Sequence, residues 1–68
     1  MKFTMTIDMG NDAFQDVHPF YELSDILAKQ AKWFSDAVYD GYDASTMERT
    51  VRDYNGNKVG TIKIEQET

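Results

Sequence analysis

The spacing of apolar residues changes period twice along this chain, and that succession restricts its fold more than any other feature. Phe3, Met5, Ile7 and Met9 alternate with Lys2, Thr4, Thr6 and Asp8, a period of two that predicts a half-buried strand. After Pro19, the residues Phe20, Leu23, Leu27, Ala31, Phe34 and Val38 recur at steps of three and four. That spacing predicts a helix with one core-facing stripe. Pro19 suits the first helical position, where its missing N–H is no loss. Gly41 suits a C-terminal cap with positive φ, so the helix should run for about 20 residues, or ~30 Å. Glu22, Asp25, Lys29, Lys32, Asp36 and Asp40 fall on the side opposite the stripe, with Asp25 and Lys29 at a favourable i,i+4 spacing.

Period two returns from Ser45 to Tyr54 and from Asn57 to Glu65, on either side of Asn55-Gly56. An Asn-Gly pair between alternating segments is a strong hairpin signal. A two-residue loop there places Met47 opposite Ile64, Arg49 opposite Ile62 and Val51 opposite Gly60. The other side then pairs Glu48 with Lys63, Thr50 with Thr61 and Arg52 with Val59. A three-residue loop with a glycine bulge would instead pair Val51 with Val59. Arg49 is a misfit on the apolar side, and has to snorkel past the core edge or find a carboxylate. The acidic stretch from Gly10 to His18 has no period and reads as a loop, with Phe14 and Val17 folding back onto the core.

The expected fold is α+β, in the order β-α-β-β. A helix joining the first two strands makes them parallel. The most apolar strand, the third, fits between them, giving a three-stranded antiparallel sheet of order 1-3-2 with one long helix packed on one face. The opposite face, with Thr4, Thr6, Thr50 and Thr61, can meet water. Sixty-eight residues suit a single domain, 1–68, which buries only about 60% of its unfolded surface. Without cysteine neither a disulfide nor a thiolate zinc site can reinforce it. No run approaches the ~20 apolar residues of a membrane span, and the alternating N-terminus with Asp8 does not read as a signal peptide. A cytoplasmic location is expected.

Phe3-Thr4-Met5-Thr6-Ile7-Asp8, Asn11-Asp12-Ala13-Phe14, the Glu22-Leu23-x-x-Ile26-Leu27 segment and Val51 to Gly60 with its Asp-x-Asn-Gly-Asn turn resemble a group of small proteins common in phages and mobile elements. The resemblance covers nearly the whole chain. It implies a genomic setting and the strand-helix-hairpin layout, and it implies no mechanism.

Catalysis finds little support. His18, the one histidine, stands before Pro19 and reads as a capping or solvent residue, with no oriented partner in sight. Ser24, Ser35 and Ser45 bear no relation to it that suggests an activated nucleophile, and the glycines form no phosphate loop. Asp8, Asn11, Asp12 and Asp16 offer oxygen to a hard cation, but their spacing is not that of a calcium loop. No cofactor or metal is expected. Residues 1–44 carry three basic and eight acidic groups, and residues 45–68 four of each. The whole net charge of −5 thus belongs to the first strand, loop and helix, and direct nucleic-acid binding is disfavoured.

A protein partner remains. Trp33 falls on the polar side of the helical wheel, near Ile26. Either it lies over the core edge, or it anchors a binding surface with a charged rim. On the second account Asp12, Asp16, Glu22, Asp25, Asp36 and Asp40 steer the chain to a basic surface, and Trp33 and Ile26 dock it. The expected role is a non-enzymatic interaction module, acting on a nucleic-acid-handling or defence protein as an inhibitor. The alternative is a self-associating accessory protein, a homodimer that buries Trp33, Ile26 and a sheet edge.

Overall fold

In the computed structural model residues 1–15, 18–41 and 46–66 are described. They form β1 (Lys2–Ile7), a 3₁₀ turn (Asp12–Phe14), α1 (Pro19–Asp40), β2 (Met47–Arg52) and β3 (Lys58–Glu65). The sheet order is β1-β3-β2, with β3 antiparallel to both neighbours, so the expected α+β architecture is the one observed. Strand β1 joins β3 in an unbroken register from Lys2 opposite Glu65 to Ile7 opposite Gly60. None of the helices among the described residues is long and apolar enough to cross a membrane.

Both ends of α1 follow from local chemistry. His18 is the N-cap: its backbone is extended and its Nδ1 accepts from Phe20 N–H at 3.1 Å. Pro19 follows as the first helical residue. Gly41 closes the helix at φ 78° and donates to the carbonyls of Ala37 and Val38, a conformation that a side chain would strain.

The hairpin departs from the two-residue loop. Asp53 N–H donates to the Asn57 carbonyl and Gly56 N–H to the Asp53 carbonyl, both at 3.0 Å. Tyr54-Asn55-Gly56 is therefore a three-residue loop, with Gly56 at φ 85° in the left-handed position that such loops require. That loop alone would slip the strands by one residue. A second irregularity restores them: Arg52 pairs with Lys58 and Val51 with Gly60, leaving Val59 without a partner on β2 as a bulge, while its carbonyl accepts from Asp8 N–H on the other side. Arg52 consequently does not face Val59. The bulge turns Val59 into the core, where it is buried.

The core gathers Ala13, Phe14, Ile26, Val51, Val59 and Ile62, with Met5, Ile7, Met9, Leu23 and Phe34 packed against it. Phe14 folds back as expected, delivered by the 3₁₀ turn inside what the sequence shows as loop. Val17 lies outside the described residues. Thr4, Thr6 and Thr50 are exposed on the opposite sheet face.

Candidate functional site

The helix meets the sheet with a different side from the one its apolar spacing indicates. Glu22, Ile26 and Ala37 are buried, while Phe20, Leu27, Ala31 and Val38 are exposed. At ~100° per residue, the face on the sheet is rotated by about 90° from the predicted stripe. Polar residues with assigned partners explain the rotation. Glu22 is only 6% exposed, and its carboxylate accepts from Tyr54 N–H at 3.0 Å, fastening the first turn of α1 to the hairpin loop. Two turns further, Gln30 accepts from Arg49 Nε at 2.8 Å. These bonds satisfy groups that would be costly to bury alone, and they fix which side of α1 faces inward.

Arg49 thus resolves its misfit through the Gln30 side-chain amide. Its guanidinium also lies 4.0 Å from the centre of the Trp33 ring, a cation–π contact. Phe34 meets the same indole edge-on, with centroids 5.1 Å apart. Trp33 is half-buried beneath Arg49, as in the core-edge account, and does not project as an anchor. Ile26, at 2% exposure, belongs to the core and cannot contact a partner. Glu22 is likewise withdrawn from the surface.

The remaining carboxylates are only partly available. Asp25 pairs with Lys29 and Asp36 with Lys32, each at 2.9 Å. The hydrogen bond and charge of Asp25 raise the Lys29 ammonium above its ordinary range. Asp12 and Asp40 are exposed, and Asp16 lies outside the described residues. In the loop, Asp8 accepts from Gly10 N–H at 2.9 Å, and Asn11 caps the 3₁₀ turn while donating to Asp53 at 2.7 Å. Their oxygens serve turns. Among the described residues no three His, Cys, Asp or Glu side chains gather as a metal would require.

The surface left open is the lateral side of α1. Phe20 is 66% exposed, Leu27 47% and Val38 78%, with Phe3 of the edge strand β1 at 55%. Phe3 meets Phe34 edge-on at 5.9 Å and so extends the helical face onto the sheet edge. Near the start of α1, His18, Phe20, Tyr21 and Ser24 line a shallow, mainly apolar hollow. Part of the exposure has a simple cause: 22 helical residues span ~33 Å, whereas strands of six to eight residues span only ~20–27 Å. Sequence reasoning found this stripe but gave it to the core. Its width held the clue, because from Trp33 through Ile26 and Leu23 to Ala31 apolar residues cover an arc of about 160°, more than the ~100° stripe one packed face needs.

Comparison with protein-family models, with curated proteins and with solved structures finds no match to this chain.

Proposed function

We propose that the chain is a non-enzymatic protein-interaction module whose docking face is the lateral side of α1, and that this face takes an amphipathic helix. The exposed line Phe20-Leu27-Ala31-Val38 carries the reading. A helix presents such a line to another helix, since apolar residues repeating at 3.5-residue intervals pack into the facing grooves. The acidic side supports a lesser role. With Glu22 inside and Asp25 and Asp36 held by lysines, it supplies long-range steering toward a basic partner more than contact. In the phage or mobile-element setting that the resemblance implies, the work would be done in the host cytoplasm, with a defence or nucleic-acid-handling protein as the eventual target.

A photo-crosslinking side chain placed at Ala31 tests the face, with the same group at Asp36 and Thr50 as controls. In host extract the Ala31 position should yield protein adducts and Thr50 none. Adducts from Asp36 in the absence of any from Ala31 would overturn the reading and return the contact to the acidic side.

A further inference from the structure

Resting on that reading of the lateral face, we infer that its occupant is a second copy of this chain, with the two α1 helices antiparallel about a two-fold axis. Three features of the face point to self-pairing. The first is its size alternation. The residues Phe20, Leu27 and Phe34 recur at seven-residue steps, and so do Ser24, Ala31 and Val38. One heptad position is therefore large throughout, and the other is small at Ser24 and Ala31 and mid-sized at Val38. An antiparallel pair matches each kind with the other: Phe20 meets the second copy's Val38 and Leu27 its Ala31, while the outer edge of Phe34, whose inner side packs against the core, borders its Ser24. Each contact then occurs twice by symmetry, as an isologous interface demands. Parallel helices would instead set phenylalanine against phenylalanine and serine against serine, leaving voids between crowded layers.

The second feature is charge. All six charged residues of α1, from Glu22 to Asp40, lie off the seam and off the positions flanking it. Two chains of net charge −5 repel, and they can touch at least expense along a strip carrying no charge. The strip itself offers no carboxylate for a basic group to pair with, so what docks on it does so by apolar contact. The antiparallel arrangement also opposes the two helix dipoles favourably.

The third is area. Phe3, Phe20, Leu27 and Val38 expose on the order of 450 Å² at ordinary side-chain sizes. Two copies covering these side chains would remove about 900 Å² from water, close to the ~1,000 Å² total that a specific interface needs. The hollow lined by His18, Phe20, Tyr21 and Ser24 lies where the second copy's Val38 arrives.

The absence of cysteine makes the register directly testable. Copies carrying Leu27→Cys, mixed with copies carrying Ala31→Cys and oxidised mildly, should form the mixed disulfide in preference to either like pair. Light scattering should show two chains per particle, and Ala31→Lys should return it to one with helical circular dichroism unchanged. Preferential 27–27 and 31–31 disulfides would overturn the antiparallel arrangement. A single-chain mass at every concentration would overturn self-pairing altogether. In that case, adducts between Ala31 and a different protein would preserve the docking face, and their absence would remove that as well.

Discussion

Asp53 ties the hairpin loop to the turn that follows β1, 42 positions earlier in the chain. One carboxylate oxygen accepts from the backbone N–H groups of Asn55 and Asn57, both at 2.9 Å, and the other from the Asn11 side chain at 2.7 Å. Burial by itself would raise its pKa. The donors on Asn57, Asn11 and Asn55 outweigh it and hold the carboxyl below its ordinary value. A carboxyl depressed by folding stabilises the fold above the unfolded value, near ~3.9, and that contribution disappears as pH falls through the lower folded value. Thermal unfolding followed downward from pH 5 should therefore show a loss of stability below about pH 4. In Asp53→Asn that segment of the loss should be reduced, on a lower starting Tm. The sequence shows Asp53 as a turn former, since Asp-x-Asn-Gly invites that reading. It does not show the partnership with Asn11, because a bond spanning 42 positions leaves no local trace.

Among the elements, strands and caps were legible because each depends on neighbouring residues: alternation for β1 and β3, His18-Pro19 and Gly41 for the ends of α1. The rotation of α1 was not, because Glu22 and Gln30 look like surface residues until Tyr54 and Arg49 are known to face them. The hairpin shows the same limit. Asn55-Gly56 marks a turn correctly, but whether the loop holds two residues or three depends on a bulge at Val59 that only core packing rewards. Gly60 illustrates a subtler case. It reads as punctuation, yet a Cβ there would collide with the Thr6 carbonyl and stand 3.0 Å from Ile7 Cα. Both atoms are backbone of the paired strand β1, so neither can swing aside. Gly60→Ala should cost at least ~1–3 kcal/mol by overpacking, measured by urea unfolding, with β1 amides exchanging faster than those of β2. Equal stability of the variant would mean that β1 and β3 are less closely apposed than the register requires.

At the scale of the whole molecule, two surfaces compete to explain how so small a chain works: the acidic side, carrying the net charge, and the charge-free seam of α1. They predict opposite responses to salt. Docking of carboxylates on a basic partner weakens as ions screen the attraction, the Debye length falling from ~30 Å at 0.01 M to ~10 Å at 0.1 M. Two copies meeting along an uncharged strip gain from the same screening, since it relieves the repulsion between chains of net charge −5 and leaves the apolar contact intact. The average mass of the protein at fixed concentration should therefore rise as sodium chloride is raised across that range, and sedimentation equilibrium measures it directly. The rise should be abolished by Leu27→Lys, which introduces charge into the seam, and retained by Asp36→Asn, which alters only the acidic side. A mass that fell with added salt would place the association among the carboxylates and leave the apolar seam without a role in it.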